Sequence, residues 1–463
     1  MKFTMLLYKQ KNCLYCIDFV VIGVEDYKKH DIIMLSSFFI QNFRSILELK
    51  LDFSYGEGKA PNRYLEQDIL PFLEAPNKQR LVPCMAFFGA NASGKTNLLK
   101  AFIILRAMIR DGGPLNQLFD PNLLNKKHPD TTFEVEFILN DGIFKCRVIY
   151  NATEILQEAM FKNGKTIYAI HRLKPEFPQI NSDTYSPDKL SDILRVECSD
   201  GAGRQTKTFL NRIGLGYPGL NEDLKNAFNF FKEDLKINIG DYPNPFLLTQ
   251  AVELLASILG GDEKAALGEI TDVVRRLDID IDAIDIVKTK LPPDRTVPAS
   301  SITKFDQKTG ITHAMQITST HQDVTGNPTL LDFTKHESDG TQRLAGLIGV
   351  ILYTLKIGGV LLVDELERSL HPLLMREIVM MFKKHRHNPK GAQLIFTTHN
   401  TDILDDSILR LSEIALVRKT MANGTLIRRL VDAKNDGEDI RNVTNFRKQY
   451  LAGFYAGIPH PAL

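Results

Sequence analysis

Several things are scarce in this chain of 463 residues, and each scarcity removes a class of answers. It has only five cysteines, Cys13, Cys16, Cys84, Cys146 and Cys198. An odd, scattered set of that size argues against a disulfide framework and fits a reducing cytoplasm. Cys13-x-x-Cys16 is half of a zinc pattern, but no second CxxC or CxxH follows it, so the pair reads as ordinary cysteines. The apolar run from Cys13 to Val24 contains Asp18 and falls short of the ~20 residues that cross a bilayer. It lacks a small-residue cleavage site, so no signal peptide is read there. Charge of one sign is missing too. Lys plus Arg number 57 against 56 Asp plus Glu, a net charge of +1, which makes no field that draws the whole protein to nucleic acid or membrane. Repeats, low-complexity tracts and a heptad run long enough for a coiled coil are also lacking.

What is present is a hydrophobic fraction of 43%, enough to pack a core of one large or two to three ordinary domains. The core begins near Met34. Residues 1–33 read as an N-terminal extension or an upstream mis-assigned start. Ser36 to Phe53 alternates apolar and polar on both sides of Asn42 to Ser45, which predicts an opening hairpin. A polar stretch, Gly56 to Arg80, leads into the apolar run Leu81 to Phe88, then a glycine loop, then a helix with Leu98, Leu99, Phe102, Ile103 and Leu105 largely on one face. Strands follow over 132–170, with Asn140-Asp141-Gly142 and Asn163-Gly164 as turns. Residues 221–282 take a helical period. Strand-like sequence returns at Ile284 to Lys288 and Ile311 to Thr318, before a helix from Gly340 to about Lys356. Gly359 to Val363, Gln393 to Thr397 and Glu413 to Val417 are short buried-type strands. The fold class expected is α/β, a split core with a mixed sheet. Its parts are an N-terminal half with a β lobe (34–170), an inserted helical and β lobe (171–330) and a C-terminal half (331–463).

The glycine loop is Gly89-Ala90-Asn91-Ala92-Ser93-Gly94-Lys95-Thr96, followed by Asn97. In GxxxxGKT the glycines let backbone amides approach the phosphates of ATP, Lys95 reaches the outer phosphate oxygens, and the Thr96 hydroxyl ligates Mg2+. Val360 to Val363 precedes Asp364-Glu365, as a buried strand delivering two carboxylates should; Asp364 would hold the magnesium through water, and Glu365 would orient or deprotonate the attacking water. His399 ends the next core strand, where it could contact the γ-phosphate. Ser338 and Gly340 stand just ahead of an apolar helix, whose free amides could bind phosphate; read singly, that is a helix cap. Asp402, Asp405 and Asp406 read as a helix start and loop. Lys383-Lys384-His385-Arg386-His387 reads as a solvated helix end rather than a nucleic-acid site.

In this order, P-loop, Ser-x-Gly before a helix, apolar-DE, Ser369-Leu370-His371-Pro372 and strand-His resemble the ABC-type ATPase heads of the SMC and RecF kind, over residues 35–60, 81–110 and 335–420. The resemblance implies a head-to-head homodimer, or a higher oligomer, sandwiching two ATP molecules, with Ser338 and Gly340 of one subunit capping the nucleotide of the other. It makes Ser369 to Pro372 the loop passing between the two sites. It also asks for a glutamine joining the sheet lobe to the magnesium, and Gln157 is the candidate. Ser-Asp-Gly-Thr departs from the longer Leu-Ser-Gly-Gly-Gln signature of transporters. Within that group, Phe39 to Ser45, GANASGKTNLLKAF, DELERSLHP, TTHNTDIL and the Arg441 to Pro459 run resemble the AAA family ATPases of bacterial anti-phage and abortive-infection operons, the AbiLi or RloA type. That implies a cytoplasmic switch subunit controlling an operon-encoded effector, a nuclease-like partner, with a phage protein or DNA as trigger and no membrane. Two rivals stand beside it. One is an ATPase that is itself a nuclease, as overcoming-lysogenization proteins are; only 64 residues follow His399, and no acidic DxD cluster is apparent. The other is a RecF-like DNA-repair head, which calls for a coiled coil or a basic DNA-facing stretch.

Overall fold

A computed structural model of the chain describes residues 32–56, 68–125, 129–140, 142–171, 179–180, 193, 198–200, 202–215, 221–238, 244–277, 279–290, 302–306, 311–433 and 446–451. Cys13, Cys16 and most of the 1–33 extension lie outside them, as does most of the Arg441 to Pro459 run.

The opening hairpin forms as its alternation predicts. β1 (Ile33–Phe43) pairs antiparallel with β2 (Ile46–Asp52), and Asn42 and Arg44 take positive φ at the turn. A short pair, β3 (Leu73–Glu74) and β4 (Arg80–Leu81), precedes β5 (Cys84–Phe88), which is buried at every position and runs into the glycine loop. Helix α1 (Lys95–Arg110) starts inside that loop. Then comes an antiparallel meander of β6 (Thr131–Leu139), β7 (Gly142–Tyr150), β8 (Ile155–Lys162), β9 (Lys165–His171) and β10 (Gln179–Ile180). Two helices, α2 (Phe209–Gly214) and α3 (Glu222–Asn229), lead through a π turn over Phe230–Asp234 to β11 (Leu235–Asn238). Helices α4 (Asn244–Ile258) and α5 (Glu263–Arg276) come next. A separate small sheet is built from β12 (Ala283–Lys290), β13 (Ile302–Asp306), β14 (Ile311–Gln322) and β15 (Pro328–Asp332). One helical turn, α6 (Phe333–His336), joins it to α7 (Asp339–Ile357). The chain closes with β16 (Val360–Val363), α8 (Pro372–Lys383), β17 (Gln393–Thr398), β18 (Ile414–Thr420), β19 (Gly424–Arg429) and α9 (Phe446–Leu451).

The main sheet has the order β10-β9-β8-β7-β6-β1-β2-β19-β18-β5-β17-β16-β11. From β18 to β11 every neighbour is parallel, and the remaining pairs are antiparallel. The two halves of the chain thus interleave, with β5 from the first between β17 and β18 from the second. Successive side chains of a strand point to opposite faces. Met85 and Phe87 accordingly join α1 and the meander in one core, while Cys84, Ala86 and Phe88 join α4, α7 and α8 in the other. Burial on both faces is why these strands read as unbroken apolar runs.

Two sequence readings need correction here. Residues 235–238 fall inside the stretch read as helical, yet β11 is the edge strand of the main sheet, parallel to β16. Four residues are too few for a period to declare itself against the helices on either side. Lys383, read as part of a solvated helix end, is fully buried. Its Nζ donates to Glu413 Oε2 and to Ile408 O, because a cation buried this deeply requires a partner. His385, Arg386 and His387 remain exposed, as read. Cys84, Cys146 and Cys198 are all buried. Among the described residues no helix is long and apolar enough to cross a membrane, and no group of three or more His, Cys, Asp or Glu forms a metal cluster.

Candidate nucleotide-binding site

The parallel strands β5, β17 and β16 lie side by side and end at the same edge, so three loops meet there. In such sheets ligands bind beyond the carboxyl ends of the strands. Gly89 leaves β5 with its Cα against Val417 O; a Cβ would lie 2.2 Å from that oxygen. Gly94 has φ +104° and faces Thr425 Oγ1, where a Cβ would come to 2.1 Å. Neither position admits a side chain, and Gly94 also requires the left-handed backbone that glycine alone adopts freely. The loop is tied at its back: Thr425 Oγ1 donates to Ser93 O, Ser45 Oγ is 2.7 Å from Thr425 Oγ1, and Asn97 Nδ2 donates to Ser45 Oγ. Asn97 is therefore a fastener between the loop and the opening hairpin.

Lys95 is 5% exposed. Its Nζ donates to Gly89 O and Ala90 O at 2.8 and 3.0 Å. Burial pulls its pKa down to about 8, against the opposing pull of Asp364, Glu367 and Glu365. A phosphate group in the loop would give this ammonium the counter-charge that burial denies it. Ser93 Oγ is also buried, with no hydrogen-bond partner. A cradle closed to any Cβ, an under-compensated buried cation and an orphaned hydroxyl fit a phosphate chain.

Asp364 follows β16 and is 6% exposed. Thr397 Oγ1 donates to Asp364 Oδ1 at 2.5 Å and accepts from Glu365 N at 2.8 Å, so one hydroxyl on β17 sets both acidic residues. Glu365 takes φ +47°, a strained value for a residue with a side chain, and is exposed. Strain of this kind concentrates at functional sites. Arg343 of α7 donates to Glu365 O at 3.2 Å; burial, then the charge of Arg368, lowers its pKa, with Glu365, Glu367 and Asp364 opposing. His399 N donates to Glu367 Oε1. Burial first, then the Lys95 charge, lowers the His399 pKa, while Glu367, Glu365 and Asp364 oppose, so the imidazole is neutral near pH 7.

Lys95, Thr96, Asp364, Glu365 and His399 therefore converge on one edge. Ser338 and Gly340 do not join them through their own loop. Ser338 is exposed and caps α7, with Oγ accepting from Thr341 N at 3.1 Å. Gly340 packs on Ser369 O, which a Cβ would approach to 2.4 Å. The turn ahead of α7 thus stands on the Ser369 to Pro372 loop.

Gln157 is misassigned. Its neighbour Glu158 accepts from Phe209 N and Leu210 N at the start of α2, and α2 is fastened to the C-terminal end of α1 by Thr208 Oγ1 to Met108 O and Asn211 Nδ2 to Ile109 O. The phosphate loop is at the other end of α1, roughly 21 Å away at ~1.5 Å per residue. In the sheet order, six strands separate β8 from β5. A glutamine on a strand carries no sequence signal for its distance to a loop. Conversely, Glu367 and Thr397 were not singled out. Both lie in motifs already quoted, DELERSLHP and TTHNTDIL, and their spacing from Glu365 and His399 was the available cue. Asp402 pairs with Arg447 and Asp405 caps Ser407 N, so this acidic group is structural, as read.

Residues 252–405 match the family model described as "AAA domain, putative AbiEii toxin, Type IV TA system". That span is about a third of the chain and holds Ser338, Gly340, Asp364, Glu365 and His399, while the glycine loop lies before it. The chain carries an α/β core with a phosphate-loop motif at the carboxyl end of β5. No curated protein matches it. Among solved structures, the chain is similar to the Smc head domain with an extended coiled coil, bound to the C-terminal domain of ScpA, from Pyrococcus furiosus (13% identity, 89% of this chain, 100% of that one, TM-score 0.40). It is also similar to the recombination mediator RecF with ATP (15%, 88%, 100%, 0.37) and to the Thermotoga maritima SMC head domain (13%, 85%, 98%, 0.33). At these TM-scores the likeness assigns no role to this chain.

Proposed function

We propose that this protein is an ATP-hydrolysing switch that pairs with a second copy of itself around bound ATP and magnesium. The observation that carries the reading is the asymmetry of the site. Lys95, Asp364, Glu365 and His399 meet at the carboxyl edge of one sheet, while Ser338 is exposed and Gly340 packs on the Ser369 loop, so each head would hold half of what phosphoryl transfer needs. Thr96 and Asp364 are the residues that would hold magnesium, and its charge, when bound, would offset that of the phosphates. Lys95 binds the outer phosphate oxygens. Glu365 orients the attacking water and accepts its proton at the carboxylate, and His399, neutral and anchored through Glu367, hydrogen-bonds the γ-phosphate. Ser338 and the amides at the start of α7 complete the site from the second copy.

The switch acts, in this reading, on an effector of nuclease-like chemistry in a bacterial anti-phage or toxin-type system. The matched domain's description, a toxin of a toxin–antitoxin system, and the motifs of the two chain ends support it. The test uses Glu365→Gln and Lys95→Ala. Glu365→Gln should bind ATP, hydrolyse it at least about a hundredfold more slowly and shift to a dimer on sizing only when ATP is added. Lys95→Ala should neither bind nor dimerise. Parental hydrolysis by Glu365→Gln, or a monomer under every condition, refutes the reading. Co-expression with the neighbouring gene's product, followed by sizing, tests the effector.

A further inference from the structure

The loop that carries Ser338 is held by a cluster that the ATPase motifs do not include. Glu337, next to Ser338, is 10% exposed in its side chain, and its Oε1 receives Ser319 Oγ at 2.6 Å and His321 Nε2 at 2.6 Å. Ser319 is fully buried. A carboxylate only accepts, so His321 carries its proton on Nε2 in this contact. The Glu337 carbonyl is held as well, by Gln342 Nε2 at 2.9 Å. Ser319 and His321 lie on the same face of β14, two residues apart. From β14 the chain turns through β15 and α6 and comes back, so that Glu337 closes a ring onto the strand it left.

The cluster resembles a nucleophilic triad in composition but not in order. The carboxylate, not the imidazole, stands in the middle, and the serine has no access to solvent, so no acyl or phosphoryl acceptor is made here. Its effect is mechanical. Ser338 is exposed; on its far side it is tied to the start of α7 by its cap to Thr341 and by its carbonyl, which accepts from Gln342 N, and on its near side the grip on Glu337 sets how the chain enters that helix.

We propose that Ser319 and His321 are positioning residues for the trans-acting signature: through Glu337 they fix Ser338 at the angle needed to meet the γ-phosphate of a second copy, and they make the tilt of the β12–β15 sheet a control on ATP-dependent pairing. This rests on the reading of Ser338 as a residue that acts on the other subunit. The residues read as binding nucleotide within one subunit lie just beyond the ends of β5, β16 and β17 and at the start of α1, and share no hydrogen bond with the cluster, so nucleotide binding and pairing separate.

The experiment places His321→Ala, Glu337→Ala and Glu337→Gln in the full-length Glu365→Gln chain. Melting temperature, affinity for a fluorescent ATP analogue and ATP-dependent dimerisation by analytical ultracentrifugation are measured for each. His321→Ala and Glu337→Ala should keep nucleotide affinity within about twofold and weaken dimerisation about tenfold or more, the worth of one hydrogen bond to a charged group. Glu337→Gln keeps an acceptor oxygen at the same place and should dimerise nearly as the parent does. Dimerisation unchanged in both alanine variants overturns the proposal, as does a parallel loss of nucleotide affinity and pairing, which would mark a general structural role. If the Glu365→Gln parent itself fails to pair with ATP, the reading of function fails instead.

Discussion

Thr397→Val isolates a single hydroxyl at the centre of the site. Thr397 is fully buried on β17. Its Oγ1 donates to the Asp364 carboxylate at 2.5 Å and accepts the Glu365 amide at 2.8 Å. Valine keeps the branched shape but leaves a buried carboxylate oxygen and a partly buried amide without this partner. A hydrogen bond to a charged group contributes about 1.5–3 kcal/mol and a neutral one about 0.5–1.5 kcal/mol, so the variant should lose roughly 2–4 kcal/mol of folding free energy. Catalysis should suffer separately, because the same hydroxyl aims Asp364 and holds the backbone of Glu365 at its positive φ. A fall of about 10–100-fold in kcat is expected, with nucleotide affinity changed less than about threefold, since Lys95 and the loop amides are untouched. Urea denaturation at pH 7, ATP turnover by phosphate release and titration with a fluorescent nucleotide measure the three quantities. Thr397→Ser, which restores the hydroxyl, should recover most of the turnover. A valine variant as stable as the serine variant and hydrolysing ATP at the parental rate would refute the role given to Thr397.

Lys95 has a folded pKa of about 8, below its ordinary 10.5. Between those values the unfolded chain holds the extra proton, so stability rises as pH rises through that window. The unfolding free energy of the parent minus that of Lys95→Met should therefore grow from pH 8 to pH 10.5, by at most about 3 kcal/mol and less as solvent screens the ammonium; a difference that stays flat contradicts the burial argument. Lys383 and Glu413 are both wholly buried and paired. Lys383→Met should cost about 3–5 kcal/mol in urea unfolding, because it strands a carboxylate in the core, while Lys383→Met with Glu413→Leu should recover most of that loss. A single variant as stable as the double would show the pair to be dispensable.

The chemistry of the site was legible wherever it is carried by contiguous residues. Gly89 to Thr96 must bring amides, an ammonium and a hydroxyl to one phosphate chain within a single turn, so the whole requirement is written in eight positions. Asp364-Glu365 and His399 follow the same logic, since a buried parallel strand shows as an apolar run and its last residue sits at the ligand-binding edge. Strands with a wet face and a dry face, as in the opening hairpin, also declare themselves by alternation. Glu367 and Thr397 lay within those stretches but act on neighbours across strands, and only the pairing of β16 with β17 shows what they touch.

The sequence by itself determined the local chemistry: a glycine loop that fits a phosphate chain, a strand ending in two carboxylates, a strand ending in histidine, and helices and hairpins with their turns. Tertiary structure alone decided which distant pieces share an edge or a core. It slid β5 between β17 and β18, took Leu235–Asn238 out of a helical stretch into the sheet, carried Gln157 away from the loop, buried Lys383 against Glu413, and bound Glu337 to β14. Period and propensity act over a few residues, whereas sheet order and ion pairing are settled by the free energy of burying surfaces and charges that the chain brings together only once it is folded.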